Sequence, residues 1–182
     1  MVTLLPSGNV ISSVGGARVP AVERFIAGYQ AGARKANPDI TTLNSYTDDF
    51  MDPAKGRSVA LNQIAKGSRV VFQVADACGL GALEAAMEQG VWGVGVDSDQ
   101  SALGEHILTS AVKRMDVAVF STIEELKRGT LPMGGNSVFS LANGGVELGK
   151  ISPAVPTSFA SELETVRRGI VAGEIAIPIP LR

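Results

Sequence analysis

Cysteine and histidine each occur once in this chain, as Cys78 and His106. One thiol excludes an internal disulfide and a cysteine-rich zinc site. One imidazole argues against a histidine-based metal centre or triad. There is no block of lysine or arginine, and 16 basic residues stand against 18 acidic ones, for a net charge of −2. That balance argues against nucleic acid or an anionic membrane surface as the main partner. No stretch approaches the roughly 20 apolar residues of a membrane-spanning helix. The opening MVTLLPSGNVISSVGG has neither a basic start nor a long apolar run, and it does not read as a signal peptide. A soluble chain is expected. Internal repeats, low-complexity segments, a G-x-S-x-G elbow and a P-loop are all missing.

What the chain has is apolar residues, 45% of 182, enough for one domain with a real core. They fall in an alternating pattern. NVISSV (9–14) reads as a strand. VPAVERFIAGYQAGARKA (19–36) reads as a helix, with Val22, Phe25, Ile26 and Tyr29 on one stripe and Pro20 in the first turn. ITTLNSY (40–46) is strand-like. Asp52 as N-cap and Pro53 at N1 open a second helix, stopped by Gly67. RVVFQVA (69–75) and VWGVGV (91–96) are buried strands, separated by a helix over 79–89. HILTSAV (106–112) is a further strand, and MDVAVFSTIEELKRG (115–129) a helix with a glycine stop. Near-continuous apolar strands alternating with helices predict a doubly wound parallel α/β sheet. From about Thr130 glycine, proline and asparagine take over. SVFSLA and VELGKI around Asn143-Gly144-Gly145 predict a hairpin. A last helix is predicted over 158–175, with Ser161 and Glu164 as a capping box, followed by an extended tail, IPIPLR. The domain division expected is 1–129 and 130–182.

In such sheets ligands sit beyond the carboxyl ends of the strands. Polar residues reach that edge in Ala75-Asp76-Ala77-Cys78-Gly79, in Asp97-Ser98-Asp99-Gln100, and near Ser110 and Lys113. Carboxylates there can accept hydroxyl hydrogen bonds, and an ammonium can donate to a ligand while balancing the carboxylates. Each residue also has a plainer reading. Asp97 and Asp99 can be loop carboxylates or caps, Asp76 a turn residue, Lys113 a solvated helix start, and Phe25 a core residue. GGARVP and ACGLGALE are glycine-containing turns, but Gly79-Leu80-Gly81 is followed by Glu84 where a dinucleotide fingerprint needs glycine. Asp76, Asp97 and Asp99 around Mg²⁺ would make an α/β enzyme, though without a recognisable nucleophile or base. Cys78, beside a buried strand, reads as an inert thiol.

Three stretches carry a resemblance: VGGARVPAVERFIAGYQAGARKANPDI; DPAKGRSVALNQIAKGSRVVFQVADACGLGALEAAMEQGVWGVGVDSDQ; and ILTSAVKRMDVAV. With NGGVELGKISP and the final helix, they resemble the basic membrane protein (BMP) family of substrate-binding lipoproteins of ABC importers. GVDSDQ followed sixteen residues later by Lys113 is specific to that group. The resemblance implies one lobe of a type I periplasmic-binding-protein fold, the C-terminal half of a two-lobed protein. Residues 130–182 would then contact the other lobe. It implies a nucleoside-like ligand, an ABC permease as partner, an extracytoplasmic lipid-anchored location, and no enzymatic activity, cofactor or metal. By the same resemblance Phe25 stacks on the base, Asp97 takes ribose hydroxyls, Lys113 reaches the ligand, and Gly79 lies in the pocket-lining turn. Asp76 stands where receptor-like members are richer in glycine, and would read a base edge or favour another ligand. A ligand-sensing regulatory module is the other reading this fold permits. Asp99 is left a structural or capping role. A lone lobe would also expose its cleft face to self-association.

Overall fold

The computed structural model describes residues 9–177. Six strands form one sheet in the order β2-β1-β3-β4-β5-β6. They are β1 (Val10–Gly15), β2 (Thr41–Tyr46), β3 (Val70–Val74), β4 (Trp92–Asp97), β5 (Ile107–Lys113) and β6 (Val146–Leu148). The first five are mutually parallel, and β6 runs antiparallel to β5. Helices α1 (Pro20–Ala36), α2 (Pro53–Ala65), α3 (Asp76–Glu88) and α4 (Met115–Arg128) connect the strands, and α5 (Ser158–Val171) follows β6. The order 2-1-3-4-5 is one of the two common doubly wound topologies, with its crevice outside the carboxyl ends of the strands. The predicted fold class stands.

Two cores clothe the two faces. Val22, Ile26 and Ala33 of α1 pack on Ile11, Phe72 and Val94. On the opposite face Ala60 of α2 and Cys78, Ala82 and Ala85 of α3 pack on Val14 and Val71. Small residues let α2 and α3 come into backbone contact. A side chain at Gly56 would strike the Cys78 carbonyl, and one at Gly81 the Pro53 carbonyl. Cys78 is fully buried there, as an inert thiol should be. The expected punctuation also holds. Asp52 accepts from Ala54 N at 2.9 Å, and Gly67 and Gly129 take positive φ at helix ends.

One irregularity lies inside the sheet. Gly93 pairs with Ile107 but Val94 pairs with Thr109, so Leu108 is the extra residue of a bulge on β5. Leu108 and Ala111 both join the α1-side core, and Lys113 reaches an α1 side chain.

The C-terminal third differs from expectation. The hairpin over SVFSLA and VELGKI does not form. Leu141–Asn143 is a turn of 3-10 helix, and Val146–Leu148 pairs with β5 instead. Ser140 accepts from Ala142 N while Asn143 accepts from Ser140 N, so two side chains capture the backbone that a hairpin would need. Arg114 draws β6 to the sheet edge, pairing with Glu147 at 2.9 Å and with Asp116 at 2.7 Å. That guanidinium holds the Asp116 carboxyl down near pKa 2. The Ser161–Glu164 capping box is replaced as well. Ser161 donates to the Ser158 carbonyl, Glu164 pairs with Arg167, and the helix ends at Val171. Helix α3 begins at Asp76, three residues before the predicted start. Of the tail IPIPLR, all but its first residue lies outside the described residues.

Candidate functional site

Three of the five predicted site residues meet at the carboxyl edge of the sheet. Asp97 is the last residue of β4, and Lys113 the last of the neighbouring β5. The Lys113 Nζ lies 2.6 Å from Asp97 Oδ1 and 5.0 Å from the ring centroid of Phe25 on α1. Phe25 itself is half-buried against the α1-side core. Phe25 thus packs on the core, as its plainer reading expected, while its ring also faces the Lys113 ammonium. The cluster joins an aromatic face, two anionic acceptor oxygens and a cationic donor.

The backbone at Asp97 is unusual. Its φ is +68°, in the left-handed region. Ser98 N donates to Val96 O at 2.8 Å, so Asp97 is the apex of a three-residue γ-turn. Such a turn is strained, and holding a non-glycine residue there costs on the order of 1–3 kcal/mol. The Asp97–Lys113 pair cannot offset that alone. Both side chains are substantially exposed, at 55% and 38%, and such pairs contribute about 0–1 kcal/mol.

Two more aspartates at the same edge share this conformation. Asp48, just beyond β2, and Asp76, the first residue of α3 after β3, each have φ of +51°. Three left-handed aspartates after three parallel strands localise backbone strain along one rim, where strain is commonly functional. Sequence reasoning missed Asp48, since an aspartate in a loop carries no sign of its φ. It also missed a second cation–aromatic pair at the rim, with Arg18 lying 4.6 Å from the ring centroid of Tyr46. Gly15 lies under Tyr46 and Gly16 under Phe50, and a side chain at either would collide with the ring above it.

The other predicted residues take no part in the Phe25–Lys113–Asp97 contact. Asp76 is exposed at the start of α3. Gly79 is buried, and a side chain there would overlap the Gln73 amide. Asp99 caps the turn that follows, accepting from Ser101 N at 3.1 Å, and this bond holds its carboxyl below the usual range. The three aspartates proposed for Mg²⁺ are thus dispersed: Asp97 is on Lys113, Asp99 caps a turn, and Asp76 opens a helix. Among the described residues no three His, Cys, Asp or Glu side chains form a metal-binding group. Concavities of about 270 and 400 Å³ lie elsewhere, between α4 and the 130–143 segment, and no predicted site residue lines them. The Asp97 rim is an open edge, with one wall.

Comparison with known proteins gives the family and the fold. The family model described as "ABC transporter substrate-binding protein PnrA-like" matches residues 2–179. The "ABC transporter nucleoside-binding protein BmpA" of Lactococcus lactis is 30% identical over 93% of this chain and 53% of its own length. "Basic membrane protein D" of Borreliella burgdorferi is 40% identical over 71% of this chain and 39% of its own. A solute-binding protein of an ABC transporter system from Aeropyrum pernix superposes with a TM-score of 0.81 at 24% identity, over 94% of this chain and 58% of that one. The chain spans about half the length of the curated relatives it matches. The Lactococcus and Aeropyrum proteins are binding proteins of ABC transporters by name, and no helix among the described residues is long and apolar enough to cross a membrane. A parallel sheet whose polar rim gathers Phe25, Asp97 and Lys113, matched almost end to end by the family's sequence pattern, belongs to the Bmp family of ABC transporter substrate-binding proteins.

Proposed function

We propose that this chain is one lobe of a nucleoside receptor that delivers its ligand to an ABC permease, without catalysing a reaction. One observation carries the reading: the contact of Phe25, Lys113 and Asp97 at the strand ends. A nucleoside offers a planar base and a ribose with vicinal hydroxyls. Phe25 supplies the stacking face, the Asp97 carboxylate accepts the ribose hydroxyls, and Lys113 donates to a ligand oxygen. Asp76 lies on the rim at the neighbouring strand, where it can accept from a base N–H. The Lys113 ammonium lies over the Phe25 ring in the free chain, so a base stacking on that face displaces it. The exchange favours the ligand. An exposed cation–aromatic contact is worth about 0.5–1 kcal/mol, and base stacking about 1–3 kcal/mol. Hydrogen bonds to the carboxylate add about 1.5–3 kcal/mol each.

The open rim also fits a half-cleft. The lobe described here is one wall, and closure needs a second. Helix α4 has no buried residue, and Phe120 and Leu126 are 65% and 59% exposed. With residues 130–177 it forms the surface that would meet the other half of a full-length, extracytoplasmic, lipid-anchored protein. In this chain alone a second copy is the competing cover.

The test is calorimetric titration of inosine, guanosine, adenosine, uridine and ribose into this chain and into an Asp97→Asn variant. The expected result is weak nucleoside binding by the wild type, tighter for a purine than for ribose, and abolished by the substitution. Nucleoside heats that persist unchanged in Asp97→Asn would overturn the assignment of Asp97.

A further inference from the structure

We propose that Gln73 and Gln100 are positioning residues: a buried amide and its half-buried partner that together clamp the strained turn at Asp97 and so set the Asp97–Lys113 pair. What that pair then does for a ligand rests on the nucleoside reading; the clamp itself does not.

The exposed ion pair is too weak to hold a γ-turn of positive φ, so the restraint must come from beneath. Beneath the turn, Gln100 Oε1 accepts two hydrogen bonds, from Val96 N at 3.2 Å and from Gln73 Nε2 at 2.9 Å. Val96 is the residue immediately before Asp97 and supplies the γ-turn's acceptor. Gln73 Oε1 in turn accepts from Ala75 N at 3.1 Å, immediately before Asp76. Gln100 N donates to Ser110 Oγ at 3.0 Å, on the strand that ends in Lys113. The two side chains therefore stitch the ends of β3 and β4 together, and the Gln100 backbone N–H ties the clamp to β5. Backbone N–H groups can only donate, so the bonds from Val96 and Ala75 fix which end of each amide is oxygen. Gln73 is 1% exposed, so water does not compete for it.

Two glycines make room for the clamp. A side chain at Gly79 would overlap the Gln73 amide, and one at Gly95 the Gln100 amide. Gly79, predicted to line the site, thus acts on it from behind.

The two glutamines are chemically unequal. In these contacts Gln100 uses only its side-chain oxygen, which a carboxylate can replace. Gln73 uses both ends, and a carboxylate would set oxygen against oxygen at Gln100. The same Gln→Glu change should therefore be tolerated at one position and disruptive at the other.

The experiment measures acylation rates of Lys113 by mass spectrometry in the full chain, relative to the exposed Lys127, because an ion-paired amine reacts slowly. Gln100→Met should raise the relative rate about threefold, the size expected for loss of an exposed ion pair. Gln100→Glu should restore most of the protection, and Gln73→Glu should lose it. Thermal melts establish that each variant is folded. Should Gln73→Glu fail to fold, the two variants at half-exposed Gln100 still decide the matter. Unchanged Lys113 reactivity in folded Gln100→Met, or Gln100→Glu behaving like Gln100→Met, would overturn the proposal. Inosine titrations run on the same samples separate the two readings. If the labelling pattern appears while no sample binds inosine, the clamp stands and the nucleoside assignment falls.

Discussion

Replacing Asp97 by glycine and by alanine separates the backbone role of this residue from its chemistry. Both changes delete the carboxylate and its contact with Lys113, so that loss cancels in the comparison. The two variants differ only by a Cβ at a position with φ of +68°. Left-handed backbone costs an L-residue with a Cβ about 1–2 kcal/mol. Glycine escapes this, but gains unfolded-state freedom worth roughly 0.4–1 kcal/mol. The glycine variant should therefore be the more stable by about 0.5–1 kcal/mol, or about 1–4 °C in Tm for a chain of this length. An internal control has the opposite sign. Gly32 sits in α1 with nothing near its missing Cβ, so Gly32→Ala should raise Tm by a similar amount. Differential scanning calorimetry reads both. Asp97→Ala melting at or above Asp97→Gly would refute the strained turn. Both variants should lose nucleoside binding, so the more stable protein is no better a receptor.

Other outcomes follow from burial and charge. Amide exchange should be fast along α4 and through 130–143, and slow in β1, β3 and β4; strong protection of α4 in a monomer would contradict its lack of buried residues. Self-association measured by sedimentation should fall in Phe120→Lys, since Phe120 is 65% exposed on that helix. Burial depresses the pKa of His106 below its ordinary 6.5. Between the folded and unfolded values the unfolded chain binds more protons, so stability is full above about pH 6.5 and falls as pH drops through the folded-state value. Urea midpoints at pH 7.5 and 5.5 should show this drop, and His106→Gln should flatten it. Gly56→Ala should lower Tm by several degrees, because its Cβ meets backbone that cannot rotate away.

The parallel sheet was legible because its strands are short apolar runs, such as VVFQV and GVGV, set between helices with ordinary caps at Asp52, Gly67 and Gly129. The C-terminal third was not. SVFSLA alternates like a strand, but Ser140 and Asn143 spend their side chains on local backbone, a competition that hydrophobic period does not register. The site was legible only in part. Asp97 announces itself by ending an apolar run. Phe25 looks like any stripe residue, and only the family resemblance singled it out before its contact with Lys113 was seen. Gln73 left a trace as the one polar residue inside β3, yet its partner lies 27 residues away and no local pattern links them. The left-handed φ values at Asp48, Asp76 and Asp97 leave no trace at all, because aspartate is common in loops of every kind.

The extra residue on β5 is a reserve of one frame. Beyond the bulge, Thr109 to Val112 pair with Val94 to Asp97 in regular register, so they keep the faces that an unbulged strand would give them. Deleting Leu108 would close the bulge and leave Lys113 beside Phe25. A second deletion on the same strand has no bulge left to absorb it, and would turn Lys113 toward α3 with every amino-acid type in the site retained. Among homologous chains, a one-residue gap within Ile107–Ser110 is therefore compatible with the same site, and a two-residue gap there is a sign of altered recognition.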